Sequence, residues 1–298
     1  MMKLEGMAAF VAVADAGSIS EAARRLGLAK SVVSERVAEL ERLLGASLMQ
    51  RTTRKLTLTV EGELFLHRAR RIIRETAEAQ AEITERRGSL GGPLRLAGPT
   101  GFGMLHLGRM LNGFLALHPA IELSLDLDDR FIDPAAEGYD AVIRHGPVQD
   151  TRLIAKRLAT SRRLLVAAPC YLDRHGIPAS LEELRQASAI LYSNRAADWR
   201  FRSDEGETVL RPRARLRVNS GIVMRDAALA GLGIALLPTF FTHEHLASGA
   251  LRQVEVGAEA ESAELHVAYV RNRTASAKVA ALTDWLRAEI GTPAYWDR

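Results

Sequence analysis

The segment from Ser18 to Gly62, SISEAARRLGLAKSVVSERVAELERLLGASLMQRTTRKLTLTVEG, restricts the fold of this chain more than any other stretch. Ser18 and Glu21 form an S-x-x-E capping box, which starts a helix by satisfying two of its orphan amides. Ile19, Ala22, Ala23 and Leu26 follow at helical spacing, and Gly27 supplies the stop. A second helix is expected from about Lys30 to Leu44, with Val33, Val37, Leu40 and Leu44 on one face and Gly45 closing it. Its early polar residues, Lys30, Ser31, Ser34 and Glu35, fall on the side left free. Ser47 to Thr59 then alternates like two short strands around the basic tip Arg51-Thr52-Thr53-Arg54-Lys55. Helix, turn, helix and basic hairpin in that order imply a winged helix-turn-helix. In such a module the second helix enters the major groove and the wing holds phosphates.

The charge distribution agrees with that reading. The formal net charge is only +4, but residues 24–74 carry 12 Lys+Arg against 5 Asp+Glu. Residues 1–90 as a whole carry 15 against 12, and the remaining 208 carry 25 against 24. Positive charge gathers where phosphate is expected, and counterion release would make binding salt-dependent. The 298 residues accommodate a small N-terminal domain and a larger partner. No stretch approaches the roughly 20 apolar residues of a membrane span. The first residues lack a signal-peptide layout and read as a first helix. With Cys170 as the single cysteine, an intramolecular disulfide is excluded and a cytoplasmic location is expected.

After the wing, a long helix is expected over about Val60 to Arg87. Phe65, Ala69, Ile72, Thr76, Ala79 and Ile83 repeat along it at alternating spacings of four and three. This is a heptad seam suited to pairing with a second copy; packing on its own domain would use the same residues. Ser89-Leu90-Gly91-Gly92-Pro93 ends the helix and makes a hinge. From Leu94 the pattern changes. LRLAG, IELSLDL, AVIRH, LIAKRL, LLVAAP, AILY, GIALLP and ELHVAYV read as strands, with helices expected over 101–118, 220–232 and 275–290. Alternating strands and helices imply α/β architecture, so the expected class is an α/β multi-domain protein with an N-terminal winged helix-turn-helix and linker helix.

The N-terminal segment resembles the DNA-binding domain of LysR-type transcriptional regulators. The resemblance rests on Phe10, Ser20, Ala22, Ala23, Leu26, Val33, Ser34, Leu40, Glu41, Leu44, Gly45, Leu48, Arg51, Arg54, Leu58, Thr59 and Gly62. FLALHPAIELSLDLDDRFIDPAAEGYDAVIRHG and DAALAGLGIALLP are similar to the same family's C-terminal region, so the resemblance spans essentially the whole chain. It implies a DNA-binding domain over 1–59, a dimerising linker helix over 60–88, a hinge at 89–93 and an effector-binding domain over 94–298. That last domain is expected to look like a periplasmic binding protein. Subdomain I would cover about 94–161 and 267–298, subdomain II about 162–266, with a ligand cleft between them. The family further implies a homodimer or homotetramer on an inverted-repeat site in double-stranded DNA, with RNA polymerase as a further partner and no membrane. It implies a small-molecule effector and no cofactor. Lys30 and Glu35 depart from the residues that many members carry there, which bears on base preference.

Candidate DNA-binding residues are Ser20, Lys30, Ser31, Ser34 and Glu35, with Arg51, Thr53, Arg54 and Lys55 on the wing. Lys30 is a candidate donor to guanine and Glu35 a candidate acceptor from cytosine. Effectors in α/β domains gather at strand carboxyl ends and helix N-termini. Thr100, Gly101 and Phe102 follow one strand and open a helix, Ser220 and Gly221 open another, and Phe131, Arg144, Tyr192 and Asn194 follow further strands. Thr100 and Ser220 are expected to cap their helices, beside amides suited to an anion such as a carboxylate. Cys170 reads as a small buried hydrophobe, His106 and Arg109 as solvated or core-edge residues, and Arg211, Arg213, Arg215 and Arg217 as a solvated face. His243 and His245 have no partner at metal-ligand spacing. The chain contains no nucleophile elbow, phosphate-cradling loop or dinucleotide fingerprint, so catalysis is not expected. A constitutive DNA-binding repressor with no effector stands as the alternative, and a binding protein or enzyme that keeps a basic module stands behind it.

Overall fold

The computed structural model describes residues 3–51, 56–85, 90–194, 199–203, 206–271 and 277–298, excepting the side chains of Arg51, Glu78 and residues 80–85. The chain divides into two compact units, Met1–Gly92 and Pro93–Arg298. Among the described residues no helix is long and apolar enough to cross a membrane.

The first unit runs α1 (Leu4–Ala16), α2 (Ile19–Leu26), α3 (Lys30–Leu44), β1 (Met49–Arg51), β2 (Leu56–Leu58) and α4 (Val60–Glu85). Phe10, Val13, Ala22, Val33, Val37 and Leu40 are buried in its core, at the spacings that place them on the inner faces of three helices. Gly27 ends α2 at φ 64°, a left-handed conformation that glycine adopts without a side-chain clash. The expected capping box is not formed. Ser18 is the N-cap residue, but its side chain makes no cap bond. The carboxylate of Glu21 turns instead to Arg24 and Arg25, at 2.7 and 3.1 Å.

Glu41 on α3 performs a less obvious task. Its Oε1 accepts from the backbone amides of Leu48 at 2.7 Å and Met49 at 3.0 Å, fastening the hairpin to α3. The hairpin pairs Met49 with Leu58 and Arg51 with Leu56. Thr59 then donates to Ser47 O at 2.7 Å and accepts from the Gly62 amide at 2.9 Å. A Cβ on Gly62 would lie 2.0 Å from Leu48 O, so the start of α4 can approach the hairpin only without a side chain there.

The expected seam on α4 is divided. Ala69 is buried in the domain's own core, with Phe65 and Ile72 packed against it, and the Phe65 ring centroid lies 5.7 Å from that of Phe10. Thr76 is half-buried and donates to Ile72 O, whereas Ala79 is exposed. The side chain of Ile83 lies outside the described residues.

The second unit opens with β3 (Gly92–Gly98), α5 (Thr100–Phe102), a π-helical segment (Gly103–Leu107) and α6 (Gly108–Leu117). There follow β4 (Ile121–Leu127), α7 (Pro134–Glu137), β5 (Ala141–His145) and β6 (Leu153–Ser161). Next come β7 (Arg163–Ala167), α8 (Pro169–His175), α9 (Leu181–Gln186), β8 (Ala189–Tyr192), β9 (Trp199–Ser203), β10 (Gly206–Leu210) and β11 (Ala214–Val218). The chain closes with α10 (Gly221–Leu229), β12 (Ile234–Pro238), α11 (Thr239–Ala247), β13 (Arg252–Gln253), β14 (Glu259–Ala260), β15 (Ala263–Val270), α12 (Ala277–Ile290) and a 3-10 turn (Tyr295–Asp297).

Two five-stranded sheets form its halves, in the orders β4-β3-β5-β15-β6 and β11-β8-β12-β7-β13. The chain passes from the first to the second between Ser161 and Arg163, and β15 brings it back. That return begins at Ala263, paired with Ser161, four residues before the expected 267, because the ladder with β6 runs its full length. Every residue of β12 is buried, as a central strand covered on both faces requires. The small sheet β10-β9-β14 was not anticipated. Trp199 and Phe201 of β9 alternate inward from it, while Arg200 and Arg202 point to solvent.

Candidate DNA-reading surface and effector cleft

On α3, the buried Val33, Val37 and Leu40 fix which side chains can leave the core. Lys30, Ser31 and Glu35 are exposed and Ser34 is half-buried, so all four candidates start from the first two turns of the recognition helix. Ser20 is exposed at the start of α2. This is the geometry a groove-reading helix needs: slim and charged groups on the outer face, with an apolar face anchoring it. Of the wing, Arg51 is placed on β1 opposite Leu56, while Thr53, Arg54 and Lys55 lie outside the described residues.

In the second unit, strand ends from both sheets converge on a cleft of about 280 Å³. That is near the lower end of the roughly 300–1,000 Å³ usual for small-molecule sites. Of the residues expected there, Gly101, Phe102, Phe131, Arg144, Tyr192, Asn194 and Gly221 line it, and Thr100 and Ser220 do not. Ser220 is the expected cap, accepting from the Val223 amide at 3.4 Å. Thr100 is not. The N-cap position belongs to Pro99, and the Thr100 amide donates to Asp129 Oδ1 at 3.0 Å. The chain's own carboxylate thus sits where an external anion was expected.

The wall after β4 and β5 combines an open aromatic with paired charges. Phe131 is 70% exposed, and the Arg144 guanidinium carbon lies 4.4 Å from its ring centroid. Arg144 also donates to Ile132 O. Asp128 is bonded to Arg130, whose amide and guanidinium hold its carboxyl below the usual carboxylate range. Arg130 reaches on to Glu137, at 2.9 Å through Nη1. His145 is bonded to Ser161 at 2.8 Å, and Asn194 donates to the Tyr192 hydroxyl at 3.4 Å.

The opposite wall holds residues that sequence reasoning missed. Phe240 and Phe241 follow Pro238 at the end of β12, and their ring centroids are 4.5 Å apart. The signal was present: two adjacent aromatics one residue after a strand, in a chain with 5% aromatic residues.

His106 is neither solvated nor at a core edge. It is buried, on the π-helical segment, with Nε2 2.8 Å from Phe240 O and Nδ1 bonded to the Tyr295 hydroxyl. A carbonyl can only accept, so Nε2 carries the proton and Nδ1 accepts from the phenol. Burial is the largest influence on this ring and holds its pKa below the ordinary 6.5; burial likewise pushes the Tyr295 phenol up. His106 therefore ties a helix of the first half to α11 in the second and to the C-terminal turn. The expectation for Cys170 also fails: it is exposed, because the first turn of α8 buries Tyr171 and Leu172 instead. Arg211, Arg213, Arg215 and Arg217 are all exposed, on and beside the edge strand β11.

A family model for the bacterial regulatory helix-turn-helix protein, lysR family, matches residues 4–63. A second, for the LysR substrate binding domain, matches residues 87–291. Relatives include the HTH-type transcriptional regulator DmlR of Escherichia coli strain K12. It is 33% identical over 287 residues, spanning 95% of this chain and 93% of its own. CrgA of Neisseria meningitidis serogroup C is 32% identical over 292 residues, spanning 96% and 97%. Among solved structures, the full-length Vibrio cholerae virulence activator AphB aligns with a TM-score of 0.63 at 28% identity, over 96% of this chain and 99% of that one. CrgA from Neisseria meningitidis aligns with a TM-score of 0.63 at 30% identity, over 96% and 98%. With both family models matched in order and relatives of similar length that are regulators rather than enzymes, the chain belongs to the LysR family of DNA-binding transcriptional regulators.

Proposed function

We propose that this regulator works in the cytoplasm as a homodimer or homotetramer and reads an inverted repeat with paired recognition helices. Lys30, Ser31, Ser34 and Glu35 meet base edges, with Ser20 beside them, and Arg51, Thr53, Arg54 and Lys55 hold the backbone. The seam residues of α4 beyond Ile72, among them the exposed Ala79, pair with the second copy. A small molecule in the cleft shifts the balance between two arrangements of the protein by its differential affinity for them, and with it the hold on DNA or the contact with RNA polymerase.

The observation that carries the effector reading is the exposed face of Phe131, backed by Arg144, at the mouth of a small cleft built from strand ends. An aromatic face with a cation behind it favours a planar ligand. The carboxylate first expected has less support, because Asp129 already accepts from the Thr100 amide. Thermal-shift screening of small phenols, amides and carboxylates against wild type and Phe131→Ala tests this reading. A ligand that stabilises wild type, loses that effect in the variant and alters operator affinity is expected. Ligands that stabilise both proteins equally, or that leave operator affinity unchanged, contradict it.

A further inference from the structure

Phe241 occupies an unusual place. A Cβ on Gly101 would fall 2.6 Å from its ring carbons Cε1 and Cζ. A Cβ on Gly221 would fall 2.4 Å from Cζ and 2.5 Å from Cε2. Carbon atoms in contact normally stay about 3.5–4.0 Å apart, so the far end of the ring fits only because both positions lack a side chain. Gly101 follows a strand of the first sheet and Gly221 follows a strand of the second. One ring is therefore wedged between the starts of two helices, one from each half.

The ring is also held from behind. Phe240, itself buried, lies 4.5 Å from it centroid to centroid, and Phe241 packs on the core cluster around Met224 and Leu237. The polar surroundings are already committed. Asp129 accepts from the Thr100 amide on one side, and Ser220 accepts from the Val223 amide on the other. Among the cations that line the cleft, Arg130 is paired with Asp128, Arg144 stacks on Phe131 and donates to Ile132 O, and Arg163 donates to Glu261 O at 2.6 Å. A carboxylate entering the seat would have to displace the aromatic ring before it could compete with Asp129 and Ser220 for the amides at the two helix starts.

We propose that Phe241 sets the specificity of the cleft: its ring fills the seat between the two helix starts, so that the cleft selects a neutral molecule with a planar apolar face and rejects carboxylates. This rests on the cleft being the effector site. The ring acts as a tethered occupant of the inner end, and the ligand is confined to the outer part, against Phe131 and Tyr192.

Two measurements on the full-length protein test it. The first is calorimetric titration of benzoate and of its neutral isostere benzamide into wild type, Phe241→Ala and Phe241→Leu. Wild type is expected to bind benzamide, and to bind benzoate more weakly or not at all. Removing the ring should raise the preference for benzoate over benzamide at least tenfold, since the ratio cancels the gain from simply filling the new space. Equal or tighter binding of benzoate by wild type, or no change in the ratio in either variant, overturns the proposal. The second needs no ligand. Gly221→Ala should lower the melting temperature of wild type and cost little in the Phe241→Ala or Phe241→Leu background, where the methyl enters vacated space. An equal loss in all backgrounds shows that the ring is not wedged there and also overturns the proposal. Neither measurement depends on operator affinity, so a regulator that ignores every small molecule would be recognised separately.

Discussion

The two units present their chemistry in opposite ways. In the first, a helical core takes the apolar side chains, so that Lys30, Ser31 and Glu35 stand exposed to solvent. In the second, the ends of strands from two sheets surround a hollow, and the decisive groups are those that shape it. A substitution therefore acts differently in each unit. On the exposed face of α3 a side chain can be exchanged for the contact it makes, one position at a time. In the cleft a change alters volume and neighbours together, as the shared ring between Gly101 and Gly221 illustrates.

The contrast has one place where it should break, because the N-terminal unit also contains a position where space decides everything. Gly62→Val puts atoms where Leu48 O stands, 2.0 Å from the first added carbon. The backbone cannot yield cheaply, so the unit should lose about 3 kcal/mol, the upper end of overpacking costs, and operator binding with it. Urea unfolding followed by circular dichroism reads this. A loss under about 1 kcal/mol would show that the hairpin and α4 are less tightly joined than the geometry requires.

A smaller effect sharpens the contrast. Lys30→Ala should leave stability unchanged and cost about 1–3 kcal/mol at one half-site position, relaxing base choice there. Selection from randomised DNA with the same preference as wild type would remove Lys30 from the reading set.

The smallest effect belongs to the second unit and to pH. Burial lowers the pKa of His106 from 6.5, so protonation favours the unfolded chain. Its contribution is fully present above about 6.5 and is lost as pH falls through the lowered folded value. The stability of the C-terminal unit should therefore decline on acidification below that point, and His106→Gln should flatten the decline. An unchanged slope in the variant would locate the acid sensitivity elsewhere.

Much of the fold was legible in the sequence because its signals are local. Helical spacing around Val33, Val37 and Leu40 found α3, and apolar runs such as GIALLP found the central strands. The capping box failed because arginines three and four residues after Glu21 compete for its carboxylate within the same helix. The cleft was legible as a list of strand ends but not as a shape. His106 meets Tyr295 across 189 residues, and Phe241 meets Gly101 across nearly half the chain, so neither pairing leaves a periodic trace. Glu41 was recognisable only through family resemblance, since its role depends on amides seven and eight residues away.

The claim on which the rest depends is that the N-terminal unit reads a defined DNA sequence. A footprint of the purified full-length protein on the DNA flanking its own gene, titrated across salt concentration, tests it most directly. Protection of a discrete inverted repeat that survives moderate salt is the predicted result. Diffuse protection that vanishes as salt rises would mean that the contacts there are phosphate contacts alone, and would contradict it.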